Sequence, residues 1–132
     1  MGVLTNYPAA AVLRADDLAR ATKFYTDVLG FSISPEASGQ GVTTFAAGAG
    51  TMISVYERPG MPAPANTTVA FPVPAADFDS VAAGLRAAGV VFEEYDIPEM
   101  GLKTVSGVAM MGGSKTAWFK DSEGNILNLV TM

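Results

Sequence analysis

Hydrophobic positions along this chain follow two rhythms, and the changes between them mark where strands give way to helices. Residues 9–15 (AAAVLRA) form a small, apolar run that predicts a buried strand. Asp16 and Asp17 offer an N-cap, and Leu18, Ala21, Tyr25, Val28 and Leu29 then follow at helical spacing until Gly30 closes the helix. Residues 31–34, 42–47 and 51–57 read as strands, separated by a Pro/Ser/Gly turn and by Gly48-Ala49-Gly50. Residues 58–66, with three prolines and a glycine, read as a linker. The pattern then starts again. Residues 67–73 predict a strand and Asp77 a second cap. Phe78, Val81, Ala82, Leu85 and Ala88 predict a second helix closed by Gly89. Strands are expected over residues 90–96, 115–120 and 125–131. Residues 98–113 form a glycine- and methionine-bearing loop.

The two halves can be overlaid by counting. Leu18 and Phe78 stand 60 residues apart, as do Ala21 and Val81, and Tyr25 and Leu85; the closing glycines, Gly30 and Gly89, are 59 apart. An internal repeat of this size predicts one domain over residues 1–132 built from two strand–helix–three-strand modules, at residues 1–58 and 66–132. One helix covers only one face of such a sheet, so the uncovered faces are expected to meet or to curl around a cleft.

Composition narrows the chemistry. The 132 residues are 49% hydrophobic and 16% charged, which suits a folded core. The net charge is −5 with no basic stripe, so no nucleic-acid partner is expected. Cysteine and histidine are both absent. That removes disulfides, thiol nucleophiles, Ser-His-Asp triads and thiolate or imidazole metal sites. No apolar run reaches the ~20 residues of a membrane span and no leader pattern is seen, so a cytoplasmic protein with no membrane partner is expected. Asn66-Thr67-Thr68 matches a glycosylation sequon, read as chance without a secretion signal.

Three stretches carry a resemblance. Residues 15–31 (ADDLARATKFYTDVLGF), 85–90 (LRAAGV) and 118–127 (WFKDSEGNIL) are similar to the first strand–helix unit, the end of the second helix and the C-terminal hairpin of the vicinal oxygen chelate superfamily. This superfamily includes glyoxalase I, extradiol dioxygenases, fosfomycin resistance proteins and bleomycin-binding proteins. The resemblance implies an α+β fold of two tandem βαβββ modules forming a curved mixed sheet around a cleft, paired in a homodimer. It also implies a metal site on four strand positions, which fall here at Ala10, Ser54, Thr68 and Asn128. None of these offers an imidazole or a carboxylate, so no metal and no cofactor are expected, and the family's metal-dependent catalysis is expected to be lost.

Other constellations are weaker. Asp121, Glu123 and Asn125 resemble part of a calcium loop but lack its glycine, and a hairpin turn explains them. Gly39-Gln40-Gly41 and Gly112-Gly113-Ser114-Lys115 fall short of phosphate-loop patterns. Glu93 and Glu94, adjacent on a strand, should point to opposite faces. Ser54 has no visible base to activate it.

The ligand-binding candidates are Phe45, Ser54, Tyr56, Thr68, Tyr95, Met110, Trp118 and Asn128; no catalytic residue is assigned. Flexible thioethers among glycines in residues 100–113 suit an adaptable apolar wall, or else a dimer contact. The first reading is a metal-free glyoxalase/bleomycin-resistance-like protein that binds a small apolar or aromatic molecule, sequestering a drug or metabolite. The acidic balance suits a cationic ligand. The alternative is a metal-independent lyase or isomerase using Glu57, Tyr56, Tyr95 or Asp96 as acid–base. A scaffold with a vestigial cleft is the third.

Overall fold

Asp17 opens the first helix as its sequence position predicts: its Oδ1 accepts the N–H of Arg20 at 3.1 Å. Glu57, from the end of a distant strand, adds a second cap by accepting the N–H of Leu18 at 2.9 Å. The computed structural model, which describes residues 2–132, divides into two compact units, one ending at Met61 and the other running from Pro62 to Met132.

The first unit holds β1 (Ala10–Ala15), α1 (Leu18–Lys23), β2 (Ser32–Ile33), β3 (Val42–Ala46) and β4 (Met52–Glu57). The sheet order is β1-β4-β3-β2, with β1 parallel to β4 and the other pairs antiparallel. The helix expected over residues 18–29 is α-helical only to Lys23, and Phe24–Val28 widens into a π turn. Thr26 lies within this turn. Its hydroxyl donates to the carbonyls of Thr22 (3.0 Å) and Lys23 (3.3 Å), competing with the backbone ladder. Gly30, at φ +79°, then reverses the chain. Leu13, Ala15, Ile53, Val55 and Phe45 make the buried face of this sheet, and Tyr25 stacks on Phe45 with ring centroids 5.2 Å apart.

The second unit holds β5 (Thr67–Val73), α2 (Phe78–Ala87), β6 (Asp96–Ile97), β7 (Leu102–Lys103), β8 (Ala109–Met111), β9 (Ser114–Lys120) and β10 (Ile126–Thr131). Its main sheet has the order β5-β10-β9-β8, again closed by a parallel pairing of its first and last strands. Asp77, expected to cap α2, makes no capping bond through its side chain. A 3-10 turn over Ala75–Asp77 already leads into the helix. Phe78 and Ala82 bury α2 against the face of β9 and β10 that carries Ala117, Phe119, Leu127 and Leu129.

The strand expected over residues 90–96 forms only in part. Phe92 makes a single bridge to Phe119, Glu93 N–H donates to the Trp118 carbonyl at 2.7 Å, and regular pairing resumes at Asp96–Ile97. Glu94 bends the chain away, because its carboxylate takes the Thr104 hydroxyl and the Gly107 N–H (3.1 Å). Residues 98–113, read as one long loop, are therefore largely ordered. β6 and β7 form a hairpin around Pro98–Met100, and residues 105–108 form a tight turn closed by reciprocal backbone bonds of 2.8 and 3.1 Å. No helix among the described residues is long and apolar enough to cross a membrane.

Candidate functional site

Trp118 lies on β9 on the face turned away from α2, since Lys115, an odd number of residues away, reaches Asp79 of the helix at 3.0 Å. Its indole N–H donates to the Thr67 hydroxyl on β5 at 3.1 Å, which fixes the ring plane. Tyr95 approaches from the segment that has just left the edge of β9. The two rings meet edge to face, 5.5 Å apart at 75°. The β6–β7 hairpin then lays Ile97, Met100 and Leu102 beside them. Ala65, Asn66 and Ile126 complete an open pocket of about 240 Å³, and no charged side chain lines it.

Burial pushes the Tyr95 hydroxyl above its ordinary value of 10.0, and the negative charge of Glu93 adds to the effect. The phenol is therefore a protonated donor at neutral pH. Glu93 itself faces Lys120 at 3.5 Å.

The sequence candidates separate by position. Tyr95 and Trp118 come together as facing rings of this pocket. Thr68 sits at a register shift between β5 and β10, its hydroxyl 3.5 Å from the Asn66 carbonyl, and it is Thr67 that faces the indole. Asn128 pairs with Trp118 across the sheet but is buried, its Nδ2 donating to the Thr116 hydroxyl (2.7 Å) and the Ala117 carbonyl (3.0 Å). Met110 pairs with Lys115 on β8, 59% exposed and outside the pocket wall; Met100 supplies the thioether there.

The remaining three candidates belong to the first unit. Phe45 is fully buried against Tyr25, in the core rather than on an open face. Ser54 shares a 2.7 Å hydrogen bond with Thr44, and Tyr56 is half-buried between Arg14 and Val42 in the sheet register. Of the acid–base candidates, Glu57 is committed to capping α1, and Asp96 lies exposed on β6 opposite Lys103. The wall residues Ile97 and Leu102 were not singled out from sequence. The Pro98-to-Gly101 turn between two apolar residues was the signal for them.

The positions where the resemblance implies metal ligands do not fit a metal. Ala10 has no donor atom beyond its backbone. The Ser54 hydroxyl is shared with Thr44, and the Asn128 amide nitrogen donates to Thr116 and Ala117. Among the described residues no group of three or more acidic side chains is placed to hold an ion.

Three solved structures show the same fold. An integron cassette protein from the mobile metagenome of the Halifax Harbour sewage outfall aligns at TM-score 0.69 and 15% identity, covering 96% of this chain and 99% of that one. The fosfomycin resistance protein FosX from Listeria monocytogenes aligns at TM-score 0.65 and 18% identity, over 94% and 91% of the two chains. The oxidase ChaP-H2 aligns at 0.66 and 24%, over 97% and 94%. The comparison with curated proteins gives no match. The family model of the glyoxalase/bleomycin resistance protein/dioxygenase superfamily matches residues 8–129, and together with the α+β architecture of two four-stranded mixed sheets this places the chain in that superfamily.

Proposed function

We propose that this chain binds a small, uncharged aromatic or apolar molecule without a metal ion, and so sequesters a drug or metabolite. One observation carries the reading: Trp118 and Tyr95 form an aromatic corner in a pocket whose wall holds no charge. Aromatic faces held by neighbours lose little conformational entropy when they meet a flat ligand. A volume of about 240 Å³ suits a one- or two-ring molecule. The wall itself holds no acidic group, so a neutral ligand is proposed here in place of a cationic one. The protonated Tyr95 acts as a hydrogen-bond donor rather than a general base, which speaks for binding over acid–base catalysis.

Trp118 is the single tryptophan of the chain and reports on its own pocket. Titration with two-ring neutral aromatics should change its emission and raise the melting temperature by mass action. Zinc, nickel, manganese and iron(II) salts should leave the melting temperature unchanged. Stabilisation by metals, with no aromatic response, overturns the reading.

A further inference from the structure

We infer that the Tyr95 hydroxyl selects, among neutral planar molecules, those that carry a hydrogen-bond acceptor on the ring system, such as a lactone or ketone carbonyl. The inference rests on the binding reading above and assigns the ligand class of that same pocket.

It follows from an inventory of the polar groups around the aromatic corner. The Trp118 N–H is spent on the Thr67 hydroxyl at 3.1 Å, and Thr67 is exposed, so water is at hand for the proton that hydroxyl still has to donate. The side-chain amide of Asn66 donates to the Thr67 carbonyl at 3.1 Å, and Asn66 is exposed, so water competes for whatever else it offers. Tyr95 differs. Its backbone is tied down, with its N–H on the Thr104 hydroxyl at 2.8 Å and its carbonyl accepting the Thr104 N–H at 2.9 Å. Its ring is half-buried against Trp118. Its hydroxyl makes no hydrogen bond to any described residue and is left to water or to a ligand. A neutral acceptor held against that ring gains a hydrogen bond that an apolar ligand of the same shape forgoes.

The sign of the ligand's charge follows from the surroundings. Glu93 acts on the Tyr95 hydroxyl through its negative charge, and Lys120 faces Glu93 at 3.5 Å. A carboxylate or phenolate ligand would meet that field with no cation in the wall to offset it. The acceptor must therefore be neutral. The aliphatic wall of Ile97, Met100 and Leu102 asks for a flat apolar body on the remaining side.

Three probes test this: coumarin, which is planar and neutral with a ring carbonyl; naphthalene, of similar shape with no acceptor; and 2-naphthoate, which is anionic. Each is titrated into the wild-type chain and into Tyr95→Phe, following the single indole N–H signal of Trp118 by NMR. Tyr95→Phe keeps the ring and removes only the hydroxyl, and the dispersion of its amide spectrum verifies the fold. Coumarin should bind wild type more tightly than naphthalene and lose about tenfold in Tyr95→Phe. Naphthalene should bind both proteins equally, and 2-naphthoate should bind weakest. Coumarin affinity unchanged in Tyr95→Phe, or an equal loss for coumarin and naphthalene, overturns the role of the hydroxyl while leaving aromatic binding intact. If neither neutral compound moves the Trp118 signal in wild type, the binding reading itself falls.

Discussion

Tyr95 carries a consequence for pH as well as for selectivity. Burial, and then the charge of Glu93, raise its hydroxyl above 10.0 in the folded chain. A raised acid means that the folded state holds its proton longer than the unfolded chain does. The contribution is therefore fully present below pH 10 and lost as pH climbs from there through the folded value. Denaturation midpoints measured from pH 8 to 11 should fall more steeply for wild type than for Tyr95→Phe. Parallel curves for the two proteins would show that Tyr95 ionises as freely folded as unfolded. A second residue-scale effect lies in the turn at residues 105–108, where Ser106 has φ +53° and Gly107 φ +79°. A Cβ at Gly107 would stand 2.5 Å from the Phe92 Cβ, so Gly107→Ala should destabilise the chain by about 2 kcal/mol. Ser106 occupies a backbone region that asparagine tolerates better, so Ser106→Asn should gain about 0.5 kcal/mol. Urea denaturation of both variants checks the two signs together.

At the scale of elements, what could be read from sequence depended on which forces were local. β5, β9 and β10 fall within a residue of the runs expected for them, since alternation and turn residues decide such strands within their own stretch. The π turn at Phe24–Val28 was hidden because helical spacing of apolar residues is compatible with either ladder. The run Val90-Val91-Phe92 looks like the start of a strand. What breaks it is Glu94, whose partners Thr104 and Gly107 lie 10 and 13 residues further on. The same long-range tie orients the β6–β7 hairpin, so although the Pro98-to-Gly101 turn marks the hairpin locally, the place of Ile97 and Leu102 in the pocket wall was not legible, while both of its aromatic residues were in view. The hairpin consists of two two-residue strands and its tip, Met100, is 62% exposed. β10 lies between β5 and β9 and is mostly buried. Amide hydrogen exchange should therefore be faster by orders of magnitude at Ile97 and Leu102 than at Leu127 and Leu129. Equal protection would show that the wall is as rigid as the sheet behind it. A saturating aromatic ligand should slow the hairpin amides selectively.

For the whole molecule, the 60-residue periodicity was the most informative feature of the sequence, because it reports topology without any knowledge of side-chain contacts. The two units share one strand order, β1-β4-β3-β2 and β5-β10-β9-β8, and the chain divides between Met61 and Pro62. In both units the first strand pairs in parallel with the last: β1 with β4 and β5 with β10. During synthesis this arrangement acts as a timer. A nascent chain can complete its first sheet once Glu57 has left the ribosome, but the second lacks its central strand until Ile126–Thr131 is made. From the completion of β9 at Lys120 until β10 is made, β5 and β9 border a gap that β10 fills, with Phe71 and Phe119 on the strands beside it. The growing polypeptide thus carries one finished sheet and one open one. The interval between them is when a chaperone, or another unfinished copy, has most to hold.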